Sequence, residues 1–97
     1  MAFKIIWSPK ATKTFDKVID YLTANWTEKE ITVFVKETDH VVYLICKNPY
    51  LFRGSEKENV FEGIITKHNL LLYQVDKKNN KIELLSFFDT RQNPKKK

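Results

Sequence analysis

The sequence predicts an α+β fold with the order β-α-α-β-β-β, in which an αα-hairpin packs on one face of a small, mainly antiparallel sheet. Three observations carry this. Ser8-Pro9 opens a stretch of apolar residues at helical spacing. A second such stretch starts at Thr27-Glu28-Lys29-Glu30 and stops at Asn48-Pro49. Three apolar runs of strand length then follow, joined by short polar segments.

The first strand is Phe3-Lys4-Ile5-Ile6-Trp7, with Phe3, Ile5 and Trp7 on one face. Ser8 is a good N-cap, and Pro9 suits the first helical position because its missing N–H costs nothing there. Ala11, Phe15, Val18, Ile19, Leu22 and Trp26 form one stripe, while Lys10, Lys13, Asp16, Lys17 and Asp20 face water. Thr27 and Glu30 have the spacing of a capping box, which starts a second helix near Glu28. Its stripe is Ile31, Phe34, Thr38, Val41, Val42 and Ile45. Pro49 ends it by disfavouring helical geometry in Asn48. The first helix gives out near Asn25, and so short a connection makes the two helices antiparallel neighbours.

Residues 50–59 read as a loop with a Gly-Ser turn. The strands after it are 60–66, 70–76 and 81–88, and their joints are short enough for hairpins. An antiparallel meander is expected, with the first strand joining the same sheet.

A helical hairpin covers one face of a sheet, and the other should then be polar. These strands do not alternate that way. Leu70 and Leu72 fall on one face, with Leu71, Tyr73 and Val75 on the other. Ile82 and Leu84 oppose Leu85 and Phe87. At about 25 cal/mol per Å² of apolar area, leaving such side chains wet forgoes several kcal/mol. The second face therefore calls for a partner, a second copy, or cover from the 50–59 loop.

Length and composition bound the rest. The 97 residues make a single domain, 1–97, burying roughly 60–65% of its unfolded surface. With 42% hydrophobic residues, 2 Gly and 3 Pro, the chain is neither disordered nor low-complexity. One cysteine, Cys46, excludes an intramolecular disulfide, and Cys46 reads as a small buried hydrophobe. No apolar run reaches a membrane span and no signal peptide is evident at the N-terminus, so a cytoplasmic location is expected. His40 and His68 have no companions at ligand spacing, so no metal and no cofactor are expected. Nucleotide-binding, serine-hydrolase and zinc-protease motifs are absent.

The net charge of +5 falls to +2 without Lys95, Lys96 and Lys97. Residues 89–97 thus read as a basic tail, free to move, suited to nucleic acid or an acidic partner. There are two arginines, Arg53 in the loop and Arg91 past the last strand. Arginine is the better forked ligand for phosphate. Arg53, Arg91, Lys95 and Lys96 are the candidate contacts to a nucleic acid or other target. Arg91 has a bland alternative, a salt bridge with Asp89 or Glu83. His68 is expected at a hairpin tip beside Lys67, where an imidazole can give or take a proton.

The chain resembles the RelE/ParE superfamily of toxins from bacterial type II toxin–antitoxin pairs. The residues that carry the resemblance are Trp7-Ser8-Pro9-Lys10-Ala11, Ile19-Asp20-Tyr21 with Trp26, Asn48-Pro49, the run from Leu70 to Val75, and the ending from Phe87 to Pro94. The resemblance implies a growth-arresting toxin neutralised by a cognate antitoxin in a toxin–antitoxin hetero-oligomer, as on a plasmid stabilization locus. The face bearing Leu71, Tyr73, Leu85 and Phe87 is assigned to that antitoxin. It implies one of two activities. ParE-like members poison DNA gyrase; RelE-like members are metal-independent endoribonucleases, or mRNA interferases, that cleave ribosome-bound mRNA. Arg91 matches the arginine that RelE-like members place after the last strand. Their strand lysines are replaced by Glu62-Gly63, their next arginine by Asn69-Leu70, and no tyrosine follows Arg91. The helix-one signature and His68 lean toward ParE. Whether the protein is an enzyme is open at this point. A nuclease would need a base for the 2′-hydroxyl, an acid for the leaving oxygen and a cation for the phosphorane. Arg91, His68 and Lys67 are the candidate catalytic set.

Overall fold

The computed structural model describes residues 2–91. Seven elements follow in order: β1 (Lys4–Trp7), α1 (Pro9–Asn25), α2 (Glu28–Lys47), β2 (Arg53–Gly54), β3 (Val60–Thr66), β4 (Asn69–Asp76) and β5 (Lys81–Asp89). They form one sheet in the order β1-β5-β4-β3-β2, with the two helices on one side. β3, β4 and β5 are the expected antiparallel meander, and β1 joins its edge parallel to β5. The expected α+β architecture is the observed one. The 50–59 loop differs in one respect, because Arg53 and Gly54 pair with Glu62 and Phe61 as a fifth, two-residue edge strand.

Ser8 caps α1 as its sequence position indicates, its Oγ accepting the Ala11 N–H at 2.9 Å. α2 ends at Lys47, one residue before the Asn48 C-cap and Pro49. The capping box at its start does not form: Thr27 is the N-cap but its side chain makes no capping bond. The Glu30 carboxylate that would reach back lies instead 3.7 Å from Arg91. Trp26 also leaves the predicted stripe. It is the C-cap of α1 and 46% exposed, because the helix has turned away before its side chain could reach the core.

The core lies between helices and sheet. Val18 and Leu22 of α1, Phe34, Val41 and Ile45 of α2, and Leu71, Tyr73, Ile82 and Leu84 of the sheet are all buried there. Phe15, Phe34 and Phe87 pack ring against ring with Trp7 at the rim. Tyr73 is fully buried, and its hydroxyl donates to the Pro49 carbonyl at 2.7 Å. Gly63 lets α2 pass close to β3: a Cβ there would lie 3.4 Å from Val41 Cγ1.

The register of β5 against β4 slips once, between Leu72 and Tyr73, leaving Leu85 as the extra residue of a β-bulge. Leu84 and Phe87 therefore both face the helices, although simple alternation would separate them. The slip also frees the Phe87 N–H from the ladder, and Thr14 Oγ1 of α1 accepts it at 2.9 Å. This overturns part of the expected partner face. Leu71, Tyr73 and Phe87 are 0%, 0% and 2% exposed under the helices and cannot meet an antitoxin. Leu85 alone of that set is on the open side.

Candidate functional site

Two clefts carry the residues of interest. The first is a groove of about 680 Å³ on the sheet face away from the helices. The cross-strand row Ile64, Leu70, Phe88 and the row Glu62, Leu72, Ser86 lie on this face. Ile64 is 52% exposed and Phe88 43%. Leu72, Leu85 and Phe88 line the groove, and Ser55, Glu56, Lys57 and the buried Val60 line it at the β3 edge. An apolar second face left open by the αα-hairpin is thus present, built from the other residue set. Arg53 is exposed and sits across from Glu62 in the β2–β3 pair.

The second cleft, about 410 Å³, lies where the β3–β4 turn meets the tip of the helical hairpin. Lys67, His68 and Arg91 line it together with Trp26, Glu30 and Asn69. The structure therefore brings the three candidate catalytic residues to one place. Lys67 is exposed and His68 half-buried on the tight turn between β3 and β4. Lys95 and Lys96 lie outside the described residues.

Arg91 is not free in this cleft. Its Nε and Nη2 donate to Asp89 Oδ1 and Oδ2 at 3.1 and 2.8 Å, a forked ion pair. Its backbone N–H adds a bond to Oδ1 at 2.8 Å. Asn69 Nδ2 gives Oδ2 a further bond at 2.9 Å, and Thr66 Oγ1 holds Asn69 Oδ1 at 2.6 Å. Burial opposes the Asp89 charge, but the bonds from Arg91 and Asn69 outweigh it and hold the carboxyl below the usual carboxylate range. The same pairing with Asp89 raises Arg91 above the ordinary guanidinium value. The guanidinium carbon lies 4.7 Å from the Trp26 ring centroid, a cation–π contact. The salt bridge that the sequence offered as the bland alternative for Arg91 is the one that forms.

The residues missed from sequence are the other partners in this network, Trp26, Glu30 and Asn69, and the open-face set Ile64, Leu70, Leu72 and Phe88. No local signal marks Phe88 as open-face: the β-bulge at Leu85 that exchanges the sides of Ser86, Phe87 and Phe88 is held by contacts from α1.

The family model for the ParE toxin of the type II toxin–antitoxin system parDE matches residues 5–94. The chain belongs to the ParE toxin family. It is accordingly a toxin of the type II toxin–antitoxin class, within the wider RelE/ParE superfamily. Solved structures agree with this ParE-family fold. A chain of the chromosomal ParDE system from Pseudomonas aeruginosa superposes with a TM-score of 0.72 at 15% identity, covering 91% of this chain and 96% of that one. A chain of the RelBE2 toxin–antitoxin complex from Mycobacterium tuberculosis gives 0.63 at 14% identity, covering 92% and 99%. The YoeB dimer from Staphylococcus aureus gives 0.60 at 22% identity, covering 91% and 97%. No curated protein matches the ParE-family chain by sequence.

Among the described residues, no helix is long and apolar enough to cross a membrane. No group of three or more His, Cys, Asp or Glu side chains among them is placed to hold a metal.

Proposed function

We propose that this toxin arrests growth by binding DNA gyrase, and that a cognate antitoxin neutralises it by docking on the open sheet face to form a hetero-oligomer. The observation that carries the target is the state of Arg91. A guanidinium already forked onto a buried carboxylate has little charge left for a developing phosphorane. Glu62 adds a carboxylate to the open face where RelE-like members carry lysines. The family match favours the same reading. The antitoxin reading rests on Ile64, Leu70, Leu72, Leu85 and Phe88, an apolar surface that a lone domain would not expose without a partner.

One observation favours a second reading. Lys67, His68 and Arg91 share the cleft at the hairpin tip. A ribosome-dependent endoribonuclease would use His68 to take the 2′-hydroxyl proton, with Lys67 facing the phosphate.

The experiment is induction of the toxin without antitoxin, followed by DNA integrity, plasmid supercoiling and mapped transcript ends. Gyrase poisoning predicts broken DNA and altered supercoiling with unchanged transcript ends. New 5′ ends within codons, abolished by His68→Ala, would replace it with the nuclease reading.

A further inference from the structure

We propose that the open groove ends, at the N-terminus of α1, in a carboxylate-binding subsite that anchors an acidic side chain of an apolar antitoxin segment. The proposal rests on the antitoxin reading above and goes further by naming the anchor.

The first four N–H groups at a helix start have no partner within the helix. Here Ser8 N–H goes to the Leu84 carbonyl at 3.1 Å, Pro9 has none, and Ala11 N–H goes to Ser8 Oγ at 2.9 Å. That leaves Lys10 N–H, at the positive end of a 17-residue helix whose first turn holds no acidic residue. Lys10 and Ser8 line the groove.

Ser86 lines the same groove, is 3% exposed, and its Oγ is buried without any hydrogen-bond partner. Among the described residues it is the one side-chain oxygen in that state. An orphaned buried hydroxyl is costly, and natural structures rarely keep one without reason. The β5 bulge is what aims it to this side. A carboxylate at this end would give the Ser86 hydroxyl and the Lys10 N–H an acceptor and lie beside the Lys10 ammonium.

The rest of the groove indicates what carries the carboxylate. Its floor is Leu72, Leu85 and Phe88. The other charges along it are Lys57, Glu56 and Glu62. Glu62 stands two strands from Ser86 in the same cross-strand row, roughly 10 Å away. The cationic end is thus confined to α1, and the far end would repel a run of phosphates. An apolar peptide with a carboxylate at one end fits, and a polynucleotide does not.

The test uses the ¹⁵N-labelled full chain and three probes: a short leucine-rich peptide carrying glutamates, its glutamine counterpart, and a short single-stranded RNA. The glutamate peptide should shift the Lys10 and Ser86 amides and bind about tenfold tighter than the glutamine peptide. Lys10→Glu should abolish that difference. Ser86→Ala should raise Tm by about 5 °C by removing the orphan, yet weaken the glutamate peptide selectively. A rise in Tm with unchanged peptide affinity overturns the role of Ser86. Equal affinity for the two peptides overturns the subsite while leaving the docking face intact. Failure of both peptides to bind overturns the docking face and the subsite with it. RNA shifting these amides in place of peptide overturns the choice of ligand.

Discussion

Arg91 Nη2 stands 2.8 Å from Asp89 Oδ2, and the Asp89 side chain is wholly enclosed. Two residues adjacent to the chain's last described turn thereby tie β5 to the tip of the helical hairpin, through Trp26 and Glu30. Removing one member of such a pair strands the other in a site without water. Arg91→Ala is expected to destabilise the fold by about 3 kcal/mol, and Arg91→Lys by about half of that because a lysine cannot fork. Urea unfolding of the three proteins measures both. Loss of toxicity in Arg91→Ala is therefore interpretable only beside its folded fraction.

The same pair sets an acid limit. The Asp89 carboxyl is depressed in the fold, whereas in the unfolded chain it titrates near about 3.9. The unfolded state then takes up protons first as pH falls. This contribution is full above about pH 5 and is lost as pH drops through the folded value. Asp89→Asn should lower stability at neutral pH and flatten its decline in acid. Urea midpoints between about pH 3 and 7 report the slope.

Alkali should act through Tyr73. Burial pushes its hydroxyl up to about 12, against a hydrogen bond to the backbone near Phe52 that works the other way. The fold keeps the proton after the unfolded chain has lost it, so this stability is present below about pH 10 and is lost as pH rises toward 12. Tyr73→Phe should remove that loss while costing about 1 kcal/mol at neutral pH through the unpaired Pro49 carbonyl. Phenolate absorbance near 295 nm, at roughly the wavelength used for tyrosine titration, follows the group.

Neighbouring phenylalanines should behave oppositely. Phe87 is 2% exposed among Trp7, Phe15 and Phe34, and Phe87→Ala should cost about 3–5 kcal/mol. Phe88 is on the open face, and Phe88→Ser should change stability by under about 0.5 kcal/mol while weakening antitoxin binding. Thermal melts of both variants test the bulge directly. Equal losses would mean the register assigned to β5 is wrong.

Gly63 gives a graded case. A single Cβ meets Val41 and Tyr73 at ordinary contact distance, so Gly63→Ala should stay within about 0.5 kcal/mol. Gly63→Leu has to lift α2 from β3 and should cost about 1–3 kcal/mol by urea unfolding.

The primary sequence by itself determined both helices, four of the five strands and their order; the two-residue β2 emerges only from its pairing with β3. Ser8-Pro9 and Asn48-Pro49 punctuate the helices through local backbone chemistry, and helical spacing marked Val18, Leu22, Phe34, Val41 and Ile45 as core. It also determined that both sheet faces would be apolar, since that follows from composition within each strand. Which face the helices cover was decided only in three dimensions. One extra residue at Leu85 exchanges the sides of everything after it in β5, and no local preference announces it, because the bulge is stabilised by contacts from elsewhere: Thr14 on the Phe87 amide and the aromatic packing around Phe87. Arg91 shows the same division. Its neighbour Asp89 was visible two positions away, but Asn69, Trp26 and Glu30 reach it only when the β3–β4 turn and the helix tip converge, which is a property of the packed layers rather than of any segment.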